Sequence, residues 1–159
     1  MNGVELEHVY GPVISRRLGR SLGVDLVPHK VCTYDCVYCQ LGTTTDKTLE
    51  RRTYVPAQVI LGEVREKLAQ KEEANHITIA GSGEPTLNRA IKDVICGIKE
   101  MTDIPVAVLT NGSLLWMPEV QDALMKADIV LPSLDAGDEA LFQYVNRPHP
   151  DLSFDRIVE

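Results

Sequence analysis

Apolar runs alternate with amphipathic stretches along this chain, and no other feature constrains its fold as much. Ser21 to Val27 reads as a first strand, with Leu22, Val24 and Leu26 in alternation. Pro56 to Gln70 reads as a helix in which Pro56 suits the first turn and Val59, Ile60, Val64 and Leu68 form an apolar stripe. His76 to Ala80 is a short β-branched run that stops at Gly81. A helix is expected over Asn88 to Met101, with Ile91, Val94, Ile95, Ile98 and Met101 on one face. Pro105 to Leu109 is a third strand, ended by Asn111-Gly112, and Glu119 to Ala127 is helical. Asp128 to Leu131 opens a fourth strand, and Asp138 to Tyr144 a fourth helix. Apolar strands followed by amphipathic helices mean parallel βα units, hence an α/β fold. Four such units give an open doubly wound sheet or an arc of a barrel, and periodicity alone does not choose.

The chain has 159 residues, which suits one domain, and 44% are hydrophobic, enough for a packed core. A net charge of −7 argues against wholesale wrapping of nucleic acid. The charge is uneven, however. Arg16, Arg17, Arg20, Lys30, Lys47, Arg51 and Arg52 outnumber Asp25, Asp35, Asp46 and Glu50 between Gly11 and Arg52. That region is a solvated basic face or an anion site. No apolar leader follows the polar first residues and no stretch approaches the ~20 apolar residues of a membrane span, so a cytoplasmic protein without a membrane partner is expected. Thiols stay reduced there, and clustered cysteines read first as metal ligands.

Cys32, Cys36 and Cys39 form CxxxCxxC immediately after the first strand. Soft thiolates select zinc or iron–sulfur clusters over hard cations. Structural zinc wants four ligands, and the local set stops at three. His29 is the nearest fourth candidate; Cys96, beside Gly97 in a helix, reads as a packing residue. A cubane held by three cysteines leaves one iron open to another chelator. Spacing i, i+4, i+7 also permits a buried helix face, although the polar flanks oppose it.

CxxxCxxC with Tyr38 before the last cysteine resembles the signature of the radical S-adenosylmethionine (radical SAM) enzymes. The resemblance extends from about Gly11 onward. The string from Ser15 to Asp25, continuing to Cys39-Gln40-Leu41-Gly42, is similar to a subgroup of uncharacterised iron–sulfur oxidoreductases related to the tRNA wyosine-base synthases. The resemblance implies a partial barrel of six βα units, of which this chain would supply a radical SAM core domain over residues 1–159. The start of a helix at Ser153-Phe154-Asp155, and a last strand without an outer neighbour, suggest a longer protein truncated after the fourth unit.

The same resemblance implies a [4Fe–4S] cluster on Cys32, Cys36 and Cys39, and S-adenosylmethionine as second cofactor. Gly81-Ser82-Gly83-Glu84-Pro85 matches the family's Gly-Gly-Glu-Pro element, with Ser82 in place of a glycine. Ser82, Gly83 and Glu84 would lie at the methionine moiety. Thr110-Asn111-Gly112 is similar to a family Thr-Asn-Gly, which makes Asn111 a candidate contact. Ser133-Leu134-Asp135 looks like the family's Ser-Leu-Asp element near the ribose and carboxylate; a hydroxyl and a carboxylate suit ribose hydroxyls. Tyr38 would approach the adenine through its backbone.

The implied activity is reductive cleavage of S-adenosylmethionine to a 5′-deoxyadenosyl radical that takes hydrogen from a substrate the sequence does not name. An external donor of flavodoxin or ferredoxin type would supply the electron. No general acid or base can be named. The wyosine synthases carry additional cysteines upstream of the loop, and this chain has none before Cys32. The wyosine-type modification of tRNA, for which Arg16, Arg17 and Arg20 could hold phosphates, therefore stands second to it. Those arginines could equally neutralise the cofactor carboxylate. The cysteine spacing is also compatible with a zinc-stabilised binding module and with a simple electron carrier.

Overall fold

A computed structural model describes residues 6–159, leaving residues 1–5 of the expected domain outside the described part. In chain order the elements are β1 (Val9–Ser15), β2 (Gly19–Val24), β3 (Val31–Cys32), β4 (Asp46–Lys47), α1 (Ala57–Ala69), β5 (His76–Ile79), α2 (Ile91–Met101), β6 (Val106–Thr110), α3 (Pro118–Leu124), β7 (Ile129–Pro132), α4 (Glu139–Val145) and α5 (Phe154–Val158). None of the described helices is long and apolar enough to cross a membrane.

The main sheet runs β1-β2-β5-β6-β7. The last four strands pair in parallel, with Leu22 opposite Ile77, Ile77 opposite Val106 and Ala107 opposite Ile129. This order settles what periodicity left open. Consecutive strands lie side by side with no reversal, so right-handed crossovers put every helix on one face. A doubly wound sheet needs a reversal. Helix α1 packs on α2 and α2 on α3, as this requires. The fold is α/β with a mostly parallel sheet, the arrangement of a barrel arc. Its core is the strand face of Leu22, Val24, Ile77, Ile79, Val106 and Val108 against Ile60, Val64, Ile91, Val94, Ile95 and Ile98. Fully burying each such side chain is worth about 1.5–3 kcal/mol.

Two expectations are corrected, and one strand is added that the sequence reading did not include. Strand β1 pairs antiparallel with β2, and the turn between them carries Arg16 and Arg17. Glu63 of α1 holds this added strand, accepting from the His8 and Val9 amides at 2.7 and 3.1 Å. The second helix begins at Ile91, not Asn88. A 3₁₀ turn at Pro85–Leu87 precedes it. The buried Asn88 amide donates to the Leu26 and Val55 carbonyls at 2.7 and 3.0 Å, and its oxygen accepts from Ala90 N. Asn88 thus stays extended as a tie between segments. Val59, placed in the apolar stripe of α1, is 44% exposed; Ile60 and Val64 alone on that helix are fully covered.

The other helix ends follow their local chemistry. Pro118 opens α3, where a missing amide hydrogen does no harm. Asp138 caps α4 by accepting from Leu141 N at 2.8 Å. Ser133 to Asp135 and the cysteine-bearing segment are loops at the carboxyl ends of the parallel strands.

Candidate active site

Cys32 closes the two-residue strand β3, and Cys36 and Cys39 follow in a chain of turns with no helix. The Cys39 amide donates to the Cys36 carbonyl at 3.1 Å, and the Gly42 amide to the Cys39 carbonyl at 3.1 Å. All three thiols are half-buried and free. This removes the buried helix face as an explanation of their spacing. Among the described residues no three His, Cys, Asp or Glu side chains converge on one metal-ion position. His29, the candidate fourth ligand, is exposed and belongs to no such group.

The loop is anchored from three sides. On the β6 side, Asn111 Nδ2 donates to Thr33 Oγ1 at 2.8 Å, and Thr33 Oγ1 pairs with Ser113 Oγ at 2.7 Å. Thr33 and Ser113 are both 0% exposed. On the α4 side, Val37 N donates to Val145 O at 2.9 Å, Asp35 N to Asn146 O at 3.0 Å and His149 N to Thr33 O at 2.9 Å. The buried Asn146 amide lies 3.4 Å from Cys36 Sγ. Beneath, Lys30 N donates to Ser82 O at 2.6 Å, and the Lys30 ammonium reaches Cys39 Sγ at 3.0 Å. Tyr34 packs edge-on against Phe142, ring centroids 5.4 Å apart. Cys32 and Cys36 pack against that aromatic cluster.

A cavity of about 570 Å³ opens at the carboxyl ends of β5, β6 and β7. Cys32, Cys36, Gly83, Glu84, Asn111, Ser133 and Asp135 all line it, as does Arg17. Seven candidate residues from four separate sequence segments therefore share one space. Three others do not line it. Tyr38 stands at its edge, where its hydroxyl donates to Asp135 Oδ2 at 2.5 Å. Ser82 lines a neighbouring depression with Tyr10 and Asp25, and Cys39 is outside both. Of the three arginines only Arg17 faces the cavity; Arg20 Nε is bonded to the Glu73 carbonyl at 3.0 Å.

Glu84 is 2% exposed and fully committed. Its Oε1 accepts from Thr86 N, Thr86 Oγ1 and Thr110 Oγ1 at 3.1, 2.6 and 2.6 Å, and Oε2 from Asn111 N at 2.8 Å. It clamps the ends of β5 and β6 together. Burial raises its carboxyl above the usual range, against the pull of the Thr110 and Thr86 donors. Gly83 answers a steric demand: a Cβ there would lie 1.8 Å from the Val31 carbonyl oxygen.

The thiols differ. Burial pushes Cys32 up to about 11. Burial also works on Cys39, but the Lys30 ammonium and the Leu41 amide outweigh it and hold that thiol below its ordinary value. The Tyr34 hydroxyl is buried without a partner. It belongs to the aromatic cluster against which Cys32 and Cys36 pack. Three soft donors on one loop, two of them facing a cavity, with an orphaned hydroxyl in the wall behind, fit a cluster held by Cys32, Cys36 and Cys39.

The family model of the radical SAM superfamily matches residues 26–159. The chain belongs to the radical SAM superfamily. It is 44% identical over 155 residues to a protein named GTPase Obg from Brachyspira hyodysenteriae, covering 98% of this chain and 23% of that protein. It is 41% identical over 152 residues to a UPF0026 protein of Methanocaldococcus jannaschii, covering 94% and 47%. A probable GTP 3′,8-cyclase of Saccharolobus islandicus is 27% identical over 144 residues, covering 90% and 44%. The chain thus spans half or less of the length of these relatives. Lys30, Thr33, Ser113 and Asn146 make contacts with or within the cysteine loop that the sequence alone does not disclose. Their partners are distant in sequence: Thr33 and Ser113 are 80 positions apart, Cys36 and Asn146 110. Only Lys30, two residues before Cys32, carries a local hint.

Proposed function

We propose that the chain is the cluster-bearing core of a radical SAM enzyme, with Cys32, Cys36 and Cys39 as ligands of a [4Fe–4S] cluster and S-adenosylmethionine in the adjoining cavity. One observation carries this reading: the cysteine loop and the strand-end elements Gly83-Glu84, Asn111 and Ser133–Asp135 face a common space. Reduced clusters of this family supply one electron that breaks a carbon–sulfur bond of S-adenosylmethionine homolytically, giving methionine and a 5′-deoxyadenosyl radical that takes hydrogen from substrate.

The protein's own part is to bind, orient and shield. Asp135 holds one oxygen against the Tyr38 hydroxyl and keeps the other for a ribose hydroxyl, beside Ser133. Arg17 supplies a cation for the cofactor carboxylate. The backbone of Gly83 lines the cavity on the side of the methionine moiety, and its lack of a side chain lets the Val31 carbonyl pack behind it. Glu84 shapes that side by accepting from Thr86, Thr110 and Asn111 while lining the cavity. Asn111 serves chiefly to fix the cysteine loop. The electron comes from an external low-potential donor. Modification of tRNA draws support from the exposed Arg16 and Arg17, while Arg20 Nε is engaged by the Glu73 carbonyl.

The test is anaerobic reconstitution with iron and sulfide, then reduction in the presence of S-adenosylmethionine. The reading expects about four irons per chain, broad visible absorbance and release of 5′-deoxyadenosine. Serine at position 32, 36 or 39 should abolish both loading and release, and Cys96→Ser neither. A colourless protein with one zinc per chain would sink it. A cluster that cycles electrons yet ignores S-adenosylmethionine would make the chain an electron carrier.

A further inference from the structure

Among the described residues only two side chains of the Lys, Arg, Asp and Glu classes are buried: Glu84, 2% exposed, and Lys30, 3% exposed. Four donors explain Glu84. Lys30 has no comparable set. Its ammonium has a single hydrogen-bond partner, Cys39 Sγ at 3.0 Å. A buried ammonium is stable only where a negative charge or several acceptors meet it, and a neutral thiol is a poor acceptor. The local backbone sharpens the point. Lys30 stands at φ 59°, in the left-handed region that favours glycine. Its main-chain bonds, from Lys30 N to Ser82 O and from Thr45 N and Asp46 N to Lys30 O, would serve any residue there. Only the side chain distinguishes lysine from the glycine that this conformation prefers.

We infer that Lys30 is a charge-tuning residue of the cluster site, whose ammonium stabilises the extra electron on a centre bound through Cys39 and so raises its reduction potential. The inference rests on the cluster reading above. A fixed cation beside a thiolate ligand, shielded from water, favours the more negative, reduced state. No bond is made or broken by Lys30, and its role is electrostatic positioning.

The experiment compares the wild-type chain with Lys30→Met, Lys30→Gly and Lys30→Arg. Each is reconstituted anaerobically, assayed for iron, melted, and titrated to the midpoint of the cluster by electron paramagnetic resonance. Glycine is included because φ 59° suits it, so that variant folds without backbone strain. The expected result is wild-type iron content in all, with at least a tenfold fall in the reduced-to-oxidised ratio at fixed potential for Met and Gly. That is a midpoint about 59 mV lower for one electron. Lys30→Arg should stay close to wild type. Neutral variants that melt normally but shed iron, while Arg retains it, would make Lys30 a residue of cluster retention and overturn the inference. Unchanged midpoints in Met and Gly overturn the inference, as does an Arg variant that falls with them. A wild-type chain that takes up no iron overturns the cluster reading itself and this inference with it.

Discussion

Asn111 of the β6 end donates its amide to Thr33 at 2.8 Å, across 78 positions of sequence, and lies 3.6 Å from Cys32 Sγ. The same side chain accepts from Ser113 N at 3.0 Å, so both ends of its amide are used. Removing it takes a donor from the buried Thr33 hydroxyl and leaves the Ser113 amide without its acceptor, close to the first cysteine. Asn111→Leu should lower stability by about 1–3 kcal/mol, read as a lower Tm. It should also lower iron retained after desalting. Unchanged retention would show that Asn111 does not position the loop.

The three thiols should react in a fixed order in the metal-free protein. Thiolate is the nucleophile, and alkylation near pH 8 follows its abundance and access. Cys39, held below the ordinary thiol value, should be modified first. Cys32, pushed up to about 11 by burial, should be modified last. Timed alkylation with peptide mass spectrometry measures the order, and Cys32 leading Cys39 would contradict it.

Gly83 and Gly62 make a matched pair. A Cβ at Gly83 meets the Val31 carbonyl at 1.8 Å, a backbone atom that cannot step aside. Gly83→Ala should therefore displace β3 and cost several kcal/mol, on the order of the largest single-site effects. Gly62 lies inside α1 with nothing within 4 Å of its missing Cβ. Gly62→Ala should stabilise by about 0.5–1 kcal/mol. Denaturant melts of both variants check the contrast.

Two carboxyls should shape the acid limb of stability in opposite senses. Glu63 is partly desolvated, but its bonds from His8 and Val9 leave it below its ordinary value. Its contribution is complete above the ordinary value of 4.5 and is lost as pH falls through the lowered folded value. Glu84, raised by burial, favours the folded state most below its ordinary value, and that advantage disappears as pH rises through the folded one. Glu63→Gln should flatten the acid loss of stability. Glu84→Gln should be destabilising, because either amide orientation sets an NH₂ against the Asn111 or Thr86 backbone donor. Stability measured from pH 3 to 8 tests both; a Glu63→Gln curve parallel to wild type would refute the first.

The parallel units were legible because each strand and its following helix declare themselves within about twenty residues: Ile77 to Ile79, then the stripe of α2. Strand β1 was not legible. Val13 and Ile14 are 46% and 90% exposed, and a register shift between Tyr10 and Val13 breaks the alternation that marks a strand. Its reason for existing, pairing with β2 and the grip of Glu63, lies elsewhere in the chain. The site divides similarly. Cys32, Cys36 and Cys39 announce themselves by spacing, whereas Gly83, Asn111, Ser133 and Asp135 were candidates through the family resemblance of their strand-end segments. Whether a side chain faces the cavity or the structure behind it depends on tertiary partners. Glu84 reads as a ligand contact in the sequence, and the structure adds that it ties the ends of β5 and β6 together while lining the cavity.

Asn146 and its neighbours, 110 positions after Cys36, supply one wall of the cysteine loop. On a ribosome adding about 5–20 residues per second, that wall emerges roughly 5–20 s after the thiols it covers. For that interval the cysteines are more open to metal donors and oxidants than they are once α4 docks and leaves them half-buried. Iron and sulfur delivered during synthesis meet a looser site than iron and sulfur delivered to the finished fold.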